Sequence, residues 1–386
     1  MPVKLDAVKE KLGALAKKAK GLSELLLGSP DVLAIDVGTY SVKILLLKQE
    51  GPSIALKAWG YLPLNAKPEA TADEKKTQTV NMVRAFLIQK GLKIKEVATS
   101  LSGNSVIVRY VKFPQLTKGE LRSTLATEAE PFIPFDINEV QLDFHILSHV
   151  VEEGQKKMET VLVAAKKDLV NARLDILQGT GLVPTIIDVD SFALENVFER
   201  LRDPKMDNGA TLLLNIGHMV TNLSIVEQGV TKVVRDIFIS GNTISKALMK
   251  AFQYDFAKAE EIKKQYGLIV DAGEKEKALQ DGQREALGVS QAVANVAKDL
   301  VGEVHRSVDF YLSQGPERSI GRIMLTGGSA RIKNLAQHLS AELKVPVSVL
   351  DPFSILPQPP ADLPPELAPS FGVTMGLALR RNRDWV

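Results

Sequence analysis

Leu33-Ala-Ile-Asp36-Val-Gly38-Thr39-Tyr40-Ser41-Val-Lys43-Ile-Leu45 and Leu213-Leu-Asn215-Ile-Gly217-His218-Met-Val-Thr221-Asn-Leu-Ser-Ile225 follow one pattern. Each reads as an apolar strand, an acid or amide, a glycine, a short polar turn and a second apolar strand. Self-similarity within one chain is a sign of duplication. A tight turn of this kind aims successive backbone N–H groups at one point, and such nests hold anions. Gly38 and Gly217 allow a phosphate to come close to the backbone. Two such hairpins facing one another could grip a polyphosphate from both sides. Asp36, at a strand end, is placed to hold a magnesium ion through water. A lone Asp-x-Gly turn is ordinary hairpin chemistry, so the weight rests on the pair and on a third passage. Ile323-Met-Leu-Thr-Gly327-Gly328-Ser329-Ala-Arg-Ile reads as a strand, a Gly-Gly turn and a helix start. That kind of terminus favours an anion or close contact with a nucleoside.

Outward from the first hairpin, an apolar stretch near Ile54 to Leu62 completes a meander. Residues 66–77 are polar and read as a loop, and Thr79 to Lys90 has helical periodicity. Residues 112–187 read as an inserted unit. Strand Ser105–Phe113 leads in, followed by a helix to about Glu130, strands Val140–Val151 and Met158–Ala165, helix Asp168–Gly179 and strand Val183–Val189. A helix from Ser191 to Leu201 precedes the second hairpin. Helices are expected near 241–254, 255–265, 285–312 and 332–343, with a short strand from Pro346 to Leu350. Residues 357–369 are proline-rich and read as an exposed loop, and Phe371–Arg381 as a closing helix. At the other end, Leu5, Val8, Leu12, Leu15, Ala19, Leu22 and Leu26 recur at alternating spacings of 3 and 4, a heptad seam on a lysine-rich helix. That helix could pack on the body, pair with a partner helix or lie on an anionic membrane.

Composition narrows the function classes. With 386 residues, 45% apolar and 24% charged, the chain has material for two or three domains. A net charge of +2 gives no global field for nucleic acid. The absence of cysteine excludes disulfides and thiolate metal sites. No apolar run approaches the roughly 18 residues of a membrane span, and no signal-peptide pattern opens the chain. The expectation is a cytoplasmic protein, with any membrane role coming through a partner or a surface helix. Among the five histidines, His145 and His149 are four apart in a strand-like stretch, where a structural role is expected.

The three passages, in this order, resemble the actin, heat-shock-chaperone and sugar-kinase superfamily of ATP-binding proteins. The stretch Ala259-Glu260-Glu-Ile-Lys263 resembles its Ala-Glu-x-x-Lys helix, whose Glu and Lys embrace ribose and adenine. Read without the resemblance, Glu260 and Lys263 are a solvated i, i+3 pair. Val304–Tyr311 is similar to the first connecting helix, and the run from Phe371 to the last. Within the superfamily, Glu128-Ala-Glu130-Pro-Phe-Ile-Pro134-Phe135, Val161–Lys167 and Asp190-Ser-Phe-Ala-Leu-Glu-Asn196 look like segments of the division protein FtsA and the type IV pilus PilM family. The chain ends at Val386 without the membrane helix expected of FtsA, which favours the PilM family.

The resemblance implies an actin-like α/β fold of two duplicated, ribonuclease-H-like domains. The expected division is residues 31–111 with 188–208 and 370–386, an inserted α+β subdomain over 112–187, and a second domain over 209–369, after a helix over 1–30. ATP and Mg2+ are the implied ligands. The implied nucleotide-binding residues are Gly38, Thr39, Tyr40, Ser41 and Lys43 in the first hairpin, and Asn215, Gly217, His218 and Thr221 in the second. Gly241, Glu260 and Lys263 are expected on the following helices, and Gly327, Gly328 and Ser329 at the third passage. Asp36 is the implied catalytic and magnesium-associated residue. Lys43 reaches a phosphate if strand alternation puts it on the cleft side.

Two departures bear on chemistry. Asn215 stands where most of the superfamily has Asp, and an amide carries no charge to orient hydrated Mg2+ or polarise water. His218 could crowd the γ-phosphate, donate a hydrogen bond to it or face solvent. Slow or absent hydrolysis is expected. The implied partner is the N-terminal cytoplasmic segment of a PilN-like inner-membrane protein, within a larger pilus assembly platform. It would sit in a groove near Pro131–Phe135 and the strand at 158–165, although Phe132, Ile133 and Phe135 equally suit a core. An active ATPase or small-molecule kinase, and an actin-like filament protein or other homo-oligomer, are the alternatives.

Overall fold

The computed structural model describes residues 31, 33–50, 53–64, 70–152, 154–206 and 208–380. The heptad stretch and the last six residues lie outside them. Two five-stranded sheets share one topology. The first takes β1 (Leu33–Val37), β2 (Ser41–Glu50), β3 (Ser53–Pro63), β4 (Glu96–Leu101) and β8 (Val183–Val189) in the order β3-β2-β1-β4-β8. The second takes β9 (Ala210–Ile216), β10 (Thr221–Glu227), β11 (Val230–Ile237), β12 (Ile320–Thr326) and β13 (Val347–Val349) in the order β11-β10-β9-β12-β13. In both, the first three strands are antiparallel and the remaining pairings parallel. The duplication seen in two hairpins thus extends to whole sheets. Central strands covered on both faces read as continuous apolar runs: Leu33, Ala34 and Ile35 are fully buried, as are Leu212, Leu213 and Leu214 within 1%. β4 and β11 escape the sequence reading, because half of β4 is polar (Glu96, Thr99 and Ser100) and β11 interleaves Lys232, Arg235 and Asp236.

A third, antiparallel sheet takes β5 (Val106–Pro114), β6 (Val140–Glu152) and β7 (Gln155–Lys166) in the order β5-β7-β6. Phe113, Leu121, Phe144, Met158 and Leu162 make its core, with Leu121 contributed by α2 (Lys118–Ala129). Its limits differ from the expected 112–187. The lead-in strand β5 belongs to it, whereas β8 pairs in parallel with β4 of the first sheet. The helix between, α3 (Lys167–Gly179), sends Leu177 into the core of the first half. The sequence order of elements is right, but order does not reveal which strand a new strand will bond to.

The two halves meet in a shared core. α4 (Asp190–Leu201) and α10 (Gly372–Ala378) contribute Ala193, Leu194, Val197, Met375 and Leu377, packed with Ala34 and Leu45 of the first sheet and Leu213 and Val226 of the second. The helices touch so closely that a Cβ on Gly376 would stand 1.6 Å from the Ala193 carbonyl oxygen. These are the crossing helices, and the run 304–311 is not one. It closes α8 (Arg284–Leu312), whose Val304 and Tyr311 are buried in the second half's own core. The Tyr311 hydroxyl also donates to Glu227 Oε1 at 2.7 Å.

Two loops are less open than expected. α1 (Ala72–Gln89) starts inside the polar stretch 66–77, nucleated by a capping box between Thr71 and Glu74. The proline-rich stretch 357–369 buries Leu363 and Ala368 and runs into a 3-10 turn from Pro365 to Phe371, with Phe371 fully buried. Trp59 Nε1 fastens it by donating to Asp362 Oδ1 at 2.9 Å. Apolar residues spaced between the prolines anchor it, and composition alone hides them.

Candidate functional site

The β1–β2 and β9–β10 hairpins face each other across a cavity of about 560 Å³. Asp36, Gly38, Thr39, Tyr40, Ser41 and Lys43 line it from one side, and Asn215, Gly217 and His218 from the other. Gly241, at the start of α5 (Gly241–Phe252), lines it too, with Glu260 and Lys263 of α6 (Phe256–Tyr266) and Gly327, Gly328 and Ser329 after β12. Thr221 does not. It is fully buried, its Oγ1 donates to the Ile239 carbonyl at 2.7 Å, and its neighbour Asn222 is the residue that lines the cavity. Alternation along β10 sends the two to opposite faces.

The glycines are needed for different reasons. Gly327 has φ +89°, and a Cβ there would stand 2.5 Å from both Asn215 Oδ1 and the Ile216 carbonyl oxygen. At Gly241 a Cβ would lie 2.5 Å from Ser329 Oγ. The first N–H groups of α5 are also engaged: Gly241 donates to the Gly217 carbonyl at 2.9 Å and Asn242 to that of His218 at 2.8 Å. The helix therefore buttresses the second hairpin.

Two ion pairs line the cavity. Lys43 Nζ lies 3.1 Å from Asp36 Oδ2, its cross-strand partner, so alternation does put Lys43 on the cleft side. Glu260 and Lys263 form the other, with their side chains only 8% and 6% exposed, which rules out a solvated pair. Lys263 Nζ also donates to Ser245 Oγ at 2.9 Å and to the Gly241 carbonyl at 3.3 Å, while the Ser245 hydroxyl donates to Glu260. Burial pushes the Glu260 pKa up, but Lys263 and Ser245 together bring it below the usual carboxylate value. Burial holds the Lys263 pKa down against the pull of Glu260.

His218 is half-buried at the cavity. Its ring centroid lies 5.3 Å from that of Tyr40 and 5.7 Å from that of Phe256. Burial pushes its pKa down to about 4, so it is neutral near pH 7. Lys264 Nζ donates to the Tyr40 hydroxyl at 2.9 Å, so the two halves touch across the cavity mouth.

Arg173 and Asp190 are site residues that sequence reasoning missed. Arg173, on α3, donates to the Val37 carbonyl at 3.1 Å and to Thr99 Oγ1 at 3.2 Å. Burial lowers its pKa while Asp36 and Asp190 oppose the shift. Asp190, the first residue of α4, is pushed up to about 6, chiefly by burial and then by Asp36, with Ser100, Ser102 and Arg173 pulling the other way. The available signal was the Asp190–Asn196 run, which carried a family likeness but no role. Arg173 reads like any charge on a helix.

The wall suits a polar ligand. The Ser370 hydroxyl, 3.8 Å from where a Gly328 Cβ would be, is buried without a hydrogen-bond partner. Among the described residues no three His, Cys, Asp or Glu side chains cluster as a metal cage. Asp36 and Asp190 are carboxylates that line the cavity on the side of the first hairpin, and together they would suit a hydrated Mg2+ whose other ligands were water and phosphate oxygens. No helix among the described residues is long and apolar enough to cross a membrane.

Two duplicated sheets closing on a cleft, with a small insert in the first, make this an actin-like α/β fold. The family model for the type IV pilus assembly protein PilM matches residues 34–382. The chain belongs to that family. Among solved structures it is similar to the PilM-PilN type IV pilus biogenesis complex, at 27% identity and a TM-score of 0.76, over 91% of this chain and 98% of that one. It also resembles the ethanolamine utilization protein EutJ from Carboxydothermus hydrogenoformans, at 15% identity and a TM-score of 0.51, over 91% and 89% of the two chains. The second likeness is one of fold.

Proposed function

We propose that this chain is an ATP-binding scaffold of a type IV pilus inner-membrane platform, holding the cytoplasmic N-terminal segment of a PilN-like protein and hydrolysing ATP slowly or not at all. The likeness to the PilM-PilN complex over nearly the full length of both chains carries the reading. On this reading the protein works in the cytoplasm and reaches the membrane through its partner. The backbone N–H groups beside Gly38 and Gly217 take phosphates, Lys43 and Arg173 supply positive charge, and Asp36 holds Mg2+ through water. Glu260 and Lys263 face the ribose and adenine, and Gly327-Gly328 lets the nucleoside approach the backbone. Asn215, uncharged, cannot orient hydrated Mg2+ as a carboxylate would, which keeps turnover slow.

On the insert, Phe132 is the exposed candidate for partner contact, packed edge-on to Phe113 at 6.1 Å. Ile133 and Met158 are core residues, and Phe135 packs against that core beneath Lys166. ATP bound to both halves favours one arrangement of them, and a partner that prefers that arrangement binds it more tightly. Calorimetric titration of a PilN N-terminal peptide into the full chain, with and without ATP–Mg2+, tests this. Tighter binding with nucleotide is expected, and equal affinity in both conditions would contradict the gating. Asp190 favours a second reading, an active ATPase, since a carboxylate of pKa about 6 beside Asp36 suits proton transfer from water. A phosphate-release rate above background that falls in Asp190→Asn would support it.

A further inference from the structure

Asn215, Asn222 and Asp236 stand side by side on β9, β10 and β11, in register. Asn215 Nδ2 donates to Asn222 Oδ1 at 2.8 Å, and Asn222 Nδ2 donates to Asp236 Oδ1 at 2.7 Å. The other oxygen, Asp236 Oδ2, accepts the backbone N–H of Gly103 at 2.6 Å. Gly103 lies between β4 of the first sheet and β5 of the insert, at φ +98°, so it sits in the turn that carries the chain into the insert. Asn215 and Asn222 line the cavity, while Asp236 does not. The row therefore runs from the cavity to the root of the insert.

Its polarity has one solution. A carboxylate only accepts, so Asn222 must turn its amino group to Asp236 and its oxygen to Asn215. Asn215 must then donate. An aspartate at 215 would set a carboxylate oxygen against Asn222 Oδ1, and flipping Asn222 would move the same clash to Asp236. The amide that departs from the superfamily's acid is thus what the row requires. Asn215 and Asn222 are 9% and 3% exposed, so water cannot easily repair a broken link. An anion in the cavity can take only the N–H side of Asn215, the orientation that the row already imposes, and chained hydrogen bonds reinforce one another.

We infer that Asn215, Asn222 and Asp236 form a relay through which occupancy of the cavity tightens the grip of the second half on Gly103 and so fixes the insert. The inference rests on the proposed function only in taking the ligand to be a nucleotide. Coupling between sites is reciprocal, so it is read from both ends.

The test is hydrogen–deuterium exchange over residues 102–106 in the full chain, with and without ATP–Mg2+, for wild type, Asn215→Asp and Asp236→Asn, alongside ATP–Mg2+ affinity. In Asn215→Asp, exchange at 102–106 is expected to rise roughly tenfold while β9 stays protected, although Asn215 does not touch that segment. ATP is expected to slow exchange there in wild type and not in Asn215→Asp. Asp236→Asn, outside the cavity, is expected to weaken ATP–Mg2+ binding several-fold. If β9 loses protection in Asn215→Asp, the affinity of Asp236→Asn decides. Unchanged exchange in a folded Asn215→Asp, or unchanged affinity in Asp236→Asn, overturns the relay. Wild type that binds no ATP, with faster exchange in Asn215→Asp, leaves the hydrogen-bonded row standing and overturns the nucleotide reading.

Discussion

The same three positions of the duplicated sheets carry different chemistry in the two halves. In the first, Asp36, Lys43 and Tyr61 are register partners across β1, β2 and β3, and all three line the cavity. In the second, Asn215, Asn222 and Asp236 occupy the matching row, and it leads away from the cavity to the insert. Duplication kept the frame that brings two hairpins together. Divergence within the frame placed an ion pair at the cavity in one row, and in the other two amides that lead to a carboxylate away from it. The first row suits holding a charged ligand, and the second suits reporting that it is held.

The second half has its own charge at the cavity, in Glu260 and Lys263, and comparing the two ion pairs gives the largest expected effect. Breaking a buried pair strands one charge, at about 3–5 kcal/mol. Lys263→Ala or Glu260→Ala should lose that much in urea denaturation, and an apolar double replacement should recover most of it. Asp36 and Lys43, 15% and 14% exposed, keep some contact with water, so Lys43→Ala should cost less. Equal losses at the two pairs would remove this contrast between the halves.

Next comes the seam on which both halves depend. Gly376→Ala drives a methyl into the Ala193 backbone, which has no side chain to move aside. A loss of about 3 kcal/mol is expected by denaturation, and wild-type stability would mean that the crossing of α4 and α10 is looser than described.

A third effect belongs to the same edge as the relay. Glu195, on α4, accepts from Thr231 on β11, close to Tyr110 of the insert. Burial pushes the Glu195 pKa up to about 7, with Asp188 and Glu199 adding to the rise and Thr231 opposing it. A carboxyl group that holds its proton more tightly when folded costs stability as pH rises from its unfolded value near 4.5 to about 7, with no further change above. Thermal unfolding should therefore show Glu195→Gln gaining on wild type by on the order of 2 kcal/mol between pH 5 and pH 8. A difference independent of pH would contradict the shift. The smallest effect is Gly103→Ala, where space is open but φ is +98°. A loss of about 1 kcal/mol is expected in denaturant unfolding.

What the sequence disclosed follows from how far each signal reaches. The hairpins, the Gly-Gly turn and the Glu260–Lys263 helix were legible because each is a local pattern, and the chain order of the three passages matched the superfamily. Thr221 was placed on the wrong face, although the alternation that corrects it was available. Arg173 and Asp190 were not legible as site residues, because only the packing of α3 and the start of α4 against β1 and β4 brings them to Asp36. The limits of the insert depended on β8 pairing with β4, which no property of Val183–Val189 itself dictates. The departure at Asn215 was visible from the start as a missing charge. Its role as a donor needed Asn222 and Asp236 beside it, on strands that only the register of the folded sheet aligns.

On the proposed reading, the cavity between the two unlike rows holds ATP without turning it over quickly. Calorimetric titration of ATP–Mg2+ into the full chain and into Asp36→Ala, with phosphate release followed in the same samples, tests it most directly. Saturable binding to wild type, at least roughly tenfold weaker binding to Asp36→Ala and phosphate release close to background are expected. No binding to wild type, equal binding to both proteins, or fast release that needs Asp36 would contradict it.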